Sequence, residues 1–300
     1  MAESPKFFDP RKLAKLSGLR LRAQRIVEGY VAGAHRSPYR GFSIEFAEHR
    51  EYAPGDDLRY LDWKVHGRTD KFYVKRFEDE TNLITYIVLD TSRSMTFRSD
   101  RQAMSKLEYG QCLAASLAWL VLNQQDAVSL VTFDSEIRSF VRPGSSPEQM
   151  RQVISALESV DSQPKTNTGR VFHDLSDRFS KRGVVLIISD LFDDLDPMIA
   201  GLRHLRHRLH DVALLQLLDP TEVDFPYRKL TRFRGLEGAS PVTADPQSFR
   251  RTYQKELQEF LTSVGRACRF HQADYRCLQT DTPFDVALSS YLTSRMGRAQ

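Results

Sequence analysis

The sequence predicts an α/β fold, a mostly parallel central sheet covered by helices on both faces, with an N-terminal helix and a small β-rich lobe ahead of it. Three observations predict it. Short apolar, β-branched runs recur along residues 81–300, the most continuous being Val184-Val185-Leu186-Ile187-Ile188 between Gly183 and Ser189-Asp190, which is the composition of a strand buried on both faces. Between these runs lie stretches of helical periodicity long enough to be crossovers, and strands joined by crossovers run parallel. The composition agrees: 300 residues with 41% hydrophobic and 27% charged side chains suit a folded chain with a sizeable core. They exclude a disordered, collagen-like or disulfide-stapled protein.

Taken in order, Leu13, Leu16, Leu19, Ile26, Val27 and Tyr30 recur at helical spacing among Lys and Arg, so residues 1–40 read as a segment carrying a basic amphipathic helix from Leu13 to about Ala34. Its basic side is the solvated face of a packed helix or, alternatively, a surface for anionic lipid or RNA. Residues 41–80 change character, with alternating Phe72-Tyr73-Val74-Lys75 and the turn cluster Ala53-Pro54-Gly55-Asp56-Asp57, and read as a β-rich lead-in lobe. Residues 81–300 form one larger domain. Leu83–Leu89 is a buried strand, Gln102–Leu122 a helix striped by Leu113, Leu117, Leu120 and Val121, and Ala127–Phe133 a second strand.

Glu136–Val141 is a further short strand, and Pro147 opens a helix where a missing N–H costs nothing, with Ile154 and Leu157 on its buried side. A helix over Gly169–Phe179 leads to the Gly183–Ser189 strand. Met198, Leu202, Leu205 and Leu209 then space a helix, and Val212–Leu218 is another strand. The Asp245-Pro246 cap-and-N1 pair starts a helix to Ala267, followed by a strand near Asp274–Leu278 and a last helix over Pro283–Arg295.

Charge and cysteine content narrow the function classes. Lys plus Arg at 43 against Asp plus Glu at 39 leaves +4, too little to demand a nucleic-acid partner. Three cysteines, Cys112, Cys268 and Cys277, match neither a zinc ribbon nor a disulfide framework and suit a reducing compartment. The first ten residues lack a basic-then-apolar leader, and the longest apolar stretch, Leu113–Leu122, has half of the roughly 20 residues a membrane span needs. A cytoplasmic protein is expected.

In open α/β sheets, ligands bind at the carboxyl ends of strands where the strand order reverses. One expected strand runs into Asp90-Thr91-Ser92-Arg93-Ser94, another into Asp190, and the loop Pro164-Lys165-Thr166-Asn167-Thr168-Gly169 opens a helix between them. Asp90, Ser92 and Ser94 alternate, so an extended turn aims all three towards one point. With Thr166 and Asp190 they make an all-oxygen set for a hard cation such as Mg²⁺. The rival reading makes Asp90 and Asp190 helix caps and gives the hydroxyls to the backbone.

This constellation resembles the metal-ion-dependent adhesion site of von Willebrand factor A-like domains. The upstream text, Gly41-Phe42-Ser43-Ile44-Glu45-Phe46 through Pro54-Gly55-Asp56-Asp57, Arg59, Leu61-Asp62-Trp63-Lys64 and Val74 to Glu78, is similar to the prokaryotic family known as domain of unknown function 58. The resemblance covers about Gly41 to Arg295. It implies a Rossmann-like A-type domain, in which Ser92 and Ser94 bind Mg²⁺ (or Mn²⁺) through their hydroxyls and Asp90 acts directly or through water. Thr166 would add a hydroxyl and Asp190 would orient a water. It also implies a MoxR-type AAA+ ATPase as partner, in chaperone-like maturation of a client. The family's Gly-Gly before the threonine is replaced by Gln163-Pro164-Lys165, so Thr168 stands as an alternative ligand.

The expected activity is non-enzymatic docking of a protein carboxylate on the bound ion. A phosphoesterase with its nucleophile at Asp90 would need a second carboxylate two residues on, and Ser92 stands there. Phosphate-loop, nucleophile-elbow and H-E-x-x-H motifs are absent from the sequence. The stretch Arg203-His204-Leu205-Arg206-His207-Arg208 reads as a solvated helix face, with nucleic-acid binding as its rival. His204 and His207 have no third metal ligand nearby in sequence. Trp63 reads as a core anchor, and Asp56, Asp57, Arg59 and Asp62 as an ion-pair and turn network or, alternatively, a second interaction site.

Overall fold

A computed structural model describes residues 9–34, 49–51, 73–75, 84–161, 168–236 and 240–289. The chain divides into two compact units, residues 34–82 and the remainder. In the smaller unit, β1 (His49–Glu51) pairs antiparallel with β2 (Tyr73–Lys75), and β2 falls in the alternating stretch. Asp56, Asp57, Arg59, Asp62 and Trp63 lie outside the described residues.

The larger unit is built on a six-stranded sheet. In chain order its strands are β3 (Ile84–Asp90), β4 (Ala127–Phe133), β5 (Ile137–Gly144), β6 (Gly183–Ser189), β7 (Asp211–Leu218) and β10 (Asp274–Gln279). In space they run β10-β7-β6-β3-β4-β5. All pairings are parallel except β4 with β5, so β5 returns as an antiparallel edge. The fold is therefore α/β with a mostly parallel, Rossmann-like sheet, as the alternation of apolar runs and helical stripes predicts. From β3 the chain moves outward to β4 and β5, then crosses back to β6 on the other side, which places the reversal of strand order between β3 and β6.

The strands bury both faces, and their period of two assigns side chains to opposite layers. Ile87, Leu89, Leu186, Ile188, Leu215 and Leu217 join one apolar cluster, whereas Tyr86, Val88, Val185, Ile187, Val212 and Leu214 join the other. The first layer is completed by α3 (Lys106–Asn123), α4 (Pro147–Glu158) and residues 284–289, here α9; the second by α5 (Thr168–Arg178), α6 (Leu195–His207) and α8 (Pro246–Phe270). The short α7 (Pro220–Asp224) and the hairpin of β8 (Thr231–Phe233) with β9 (Val242–Ala244) connect β7 to α8.

Two expectations are corrected. The continuous helix from Leu13 to Ala34 is two helices, α1 (Pro10–Leu13) and α2 (Leu19–Ala34). α1 closes at Ala14, and Gly18, immediately before α2, adopts φ +84°, a left-handed conformation that glycine takes without steric penalty and that keeps the two helices from joining. The apolar stripe nevertheless holds, since Leu13, Leu19, Ala23 and Ile26 pack into the same cluster as α3 and α4. The helix expected from Gln102 begins at Lys106, because Ser105 and Glu108 form a reciprocal capping box there.

Candidate metal centre at the carboxyl edge of the sheet

The β3 and β6 ends that flank the strand-order reversal carry Asp90 and Asp190, both almost wholly buried. Asp90 closes β3, and its Oδ1 accepts from the Ser92 N–H at 2.9 Å while its Oδ2 accepts from the Ser189 hydroxyl at 2.5 Å. Ser92 and Ser94 turn to the same side, their Oγ atoms 3.0 Å apart. Ser94 lies in a short 3₁₀ helix over Arg93–Thr96 that starts after Ser92, rather than in the extended turn the alternation suggests, and the buried Met95 anchors it.

At the β6 end, Leu191 takes φ +60°, a region that bulky residues rarely visit. That turn lets the Leu191 N–H reach Ser189 Oγ at 2.9 Å and the Phe192 N–H reach Asp190 Oδ1 at 3.3 Å. The Asp190 carbonyl accepts from Gln216 on β7 at 2.8 Å, and Gln216 in turn accepts from the Tyr275 hydroxyl at 2.6 Å. Strain of this kind persists only where the surroundings fix it.

Asp190 Oδ2 meets the Lys106 ammonium at 2.8 Å, and Glu222 Oε1 meets the same ammonium at 2.8 Å. Lys106 is 1% exposed and stands 4.9 Å from the Phe192 ring centroid, a favourable cation–π distance. It is also the first residue of α3, where the helix dipole disfavours a cation; the two carboxylates are what hold it there. Glu222 is fixed in turn by the α7 capping box, its Oε2 accepting from the Asp219 N–H at 2.7 Å.

These contacts set the titration of the site. Burial and then the Asp190 charge push the Asp90 carboxyl up to about 7, against the lowering hydrogen bonds from Ser189 and Ser92. Burial alone would lower the Lys106 ammonium, but Asp190 and Glu222 outweigh it and raise it above its ordinary value. Glu222 is raised by burial, with Lys106 opposing. Asp190 and Glu222 thus share one ammonium, and among the described residues no cation pairs with Asp90.

The donor set fits a hard dication. An octahedral Mg²⁺ with bonds of about 2.0–2.1 Å spaces adjacent ligands about 2.9 Å apart, and the Ser92 and Ser94 hydroxyls, hydrogen-bonded to each other at 3.0 Å, need move little to become adjacent ligands. Three carboxylates against one ammonium leave two negative charges for such an ion to offset when all are ionised. Thr166 lies outside the described residues. Thr168 opens α5, its side chain likewise outside them, so the choice between the two threonines stays open. Lys106, Ser189 and Glu222 do not stand out in the sequence; the one local signal is the Asp219-Pro220-Thr221-Glu222 capping pattern.

A family model described as protein of unknown function DUF58 matches residues 48–260. The chain belongs to the DUF58 family. Uncharacterized proteins of Mycobacterium bovis and Mycobacterium tuberculosis are each 26% identical to this DUF58 chain over 292 residues, covering 96% of it and 90% of their own length. Among solved structures, BatB from Bacteroides thetaiotaomicron is similar at 15% identity and a TM-score of 0.47, covering 72% of this chain and 99% of its own. An aerotolerance-related membrane protein from Bacteroides fragilis is similar at 16% identity and a TM-score of 0.43, covering 69% and 96%. In the DUF58 chain described here, among the described residues no helix is long and apolar enough to cross a membrane.

Proposed function

We propose that this DUF58 protein is a non-enzymatic, metal-dependent protein-docking module. Ser92 and Ser94 hold Mg²⁺ or Mn²⁺ through their hydroxyls with Asp90 beside them, a threonine of the α5 approach (Thr166 or Thr168) adds an oxygen, and Asp190 orients a water. A partner's Asp or Glu takes the open position. The observation that carries this reading is Asp90, a fully buried carboxylate without a cationic partner among the described residues, next to two hydroxyls at octahedral spacing. A buried charge of this kind demands either a proton or a cation. Lys106 offsets the neighbouring Asp190 but does not reach Asp90, so the Asp90 charge is left to the ion, and an octahedral ion with so few protein oxygens keeps a position for an incoming carboxylate.

The family resemblance supports a MoxR-type AAA+ ATPase as the partner, in the cytoplasm. Ser92, in place of a second carboxylate at the strand end, supports docking over phosphoryl transfer. The nucleic-acid alternative loses ground on the 203–208 face, which is less free than a solvated helix face: Arg206 bonds the His210 carbonyl and pairs with Asp211, and Arg208 pairs with Asp177.

The test is affinity capture from cell extract with wild type and Asp90→Ala, each with Mg²⁺ and with chelator. Recovery of an AAA+ ATPase only by wild type with Mg²⁺ is the expected result. Equal recovery by Asp90→Ala, or metal-independent recovery, contradicts the reading. Salt-sensitive nucleic acid in both samples would favour the alternative.

A further inference from the structure

We propose that His173, Asp177 and His204 form a second metal site, for a borderline transition-metal dication of the zinc class, separate from the strand-end oxygens. His173 and Asp177 stand four residues apart on α5 and so share a face one turn apart. His204 comes from α6, which α5 approaches closely: a Cβ added at Gly201 would stand 2.6 Å from Phe172 Cβ. The two imidazoles meet edge to face, their centroids 4.6 Å apart.

Ligand atoms of all three residues lie within 4.8 Å of one another. A tetrahedral zinc ion with bonds of about 2.0–2.2 Å needs ligands about 3.3 Å apart, so small side-chain rotations close the set. Three protein ligands leave a fourth position for water or an incoming group. Imidazole and carboxylate together suit Zn²⁺, Ni²⁺ or Cu²⁺ rather than Mg²⁺.

Two further observations support the assignment. His204 Nε2 is shielded from solvent without a hydrogen-bond partner, although it lies 3.8 Å from Asp177 Oδ1. That is a polar nitrogen in need of a partner. Arg208 donates to Asp177 Oδ1 at 2.7 Å, and since an ionised carboxylate accepts several bonds, this contact can orient the ligand as outer-shell groups do around metals. A metal here would clip α5 to α6. In sequence the third ligand is invisible, because His173 and Asp177 lie about one helix and one strand upstream of His204.

The experiment titrates the full chain, stripped of transition metals and kept in saturating Mg²⁺ to occupy the strand-end oxygens, with Zn²⁺ by calorimetry and with Co²⁺ by visible absorption. Wild type, His173→Ala, His204→Ala and Asp90→Ala are compared, and circular dichroism confirms folding. Wild type should bind one equivalent of Zn²⁺ and give intense tetrahedral Co²⁺ bands. Loss of an outer-shell partner alone weakens metal sites by about 10–100-fold, so each histidine variant should weaken binding at least about tenfold. Asp90→Ala should leave Zn²⁺ binding unchanged. A wild type that binds no more Zn²⁺ than the histidine variants, or loss of zinc in Asp90→Ala, overturns the proposal; the first outcome makes the cluster a surface ion-pair group only.

Discussion

At the scale of single residues, the centre turns on which buried charges have partners. Asp90 has hydrogen bonds but no ion pair among the described residues, whereas Asp190 and Glu222 share Lys106. The two halves therefore respond differently to substitution. Asp90→Asn keeps the shape and removes an uncompensated buried charge. In metal-free urea unfolding at pH 8 it should cost little or even stabilise, while abolishing the stabilisation that Mg²⁺ gives the wild type. Lys106→Met instead leaves two buried carboxylates facing each other. Breaking a buried pair from one side costs about 3–5 kcal/mol, and pairing the change with Asp190→Asn or Glu222→Gln should recover part of the loss in the same assay. Asp90, Ser92 and Ser94 are legible from sequence as a strand-end carboxylate followed by alternating hydroxyls, although a 3₁₀ helix rather than an extended turn brings Ser94 to Ser92. Lys106 is not, because a lysine at a helix start reads as a solvated charge until Asp190 and Glu222 arrive from 84 and 116 residues away.

At the scale of elements, the central strands read clearly because burial on both faces keeps charged side chains out of the interior of each run; all seven residues of β3 and of β6 are buried. The break between α1 and α2 is less legible, since the apolar stripe continues in phase across Gly18. The tight α5–α6 contact is invisible in sequence, and it predicts a contrast between two helical glycines. Gly201→Ala would force a Cβ against Phe172, and overpacking costs about 1–3 kcal/mol. Gly265→Ala meets the Tyr275 ring at 3.4 Å, ordinary contact, and should be neutral or gain up to about 1 kcal/mol from helix propensity. Chemical denaturation of both variants checks this.

His210, which precedes β7, belongs to the same scale. It is packed against the Tyr86 and Phe179 rings, and its value is lowered chiefly by burial, with a hydrogen bond to the Gly183 backbone opposing. The unfolded chain then binds the proton more readily. The stabilising contribution is complete above about pH 6.5, the ordinary histidine value, and is lost as pH falls from there through the lowered folded value. Asp90, raised to about 7, acts in the opposite sense over the same window, so the His210 share is read as a difference: the urea midpoint of wild type minus that of His210→Asn should shrink as pH falls from about 6.5.

At the scale of the whole molecule, a formal charge of +4 conceals an uneven arrangement. Acidic side chains gather where the strand order reverses, and arginines of α6 and its cap are tied into ion pairs on the far helical layer. The topology explains why a site lies at that edge: the crossovers that follow β3 and β6 go to opposite faces of the sheet, the arrangement that in open α/β sheets forms a crevice between the two strand ends. Sequence periodicity establishes the strands and helices in order, but the juxtaposition of Asp90 with Asp190 needs the spatial order β6-β3-β4. The central claim is that a dication occupies this crevice. It is tested most directly by Mn²⁺ binding to the metal-free full chain, followed by electron paramagnetic resonance, with Mg²⁺ as competitor. Wild type should bind one Mn²⁺ that Mg²⁺ displaces, and Asp90→Ala should bind none at that site; equal binding by the two proteins would contradict the account.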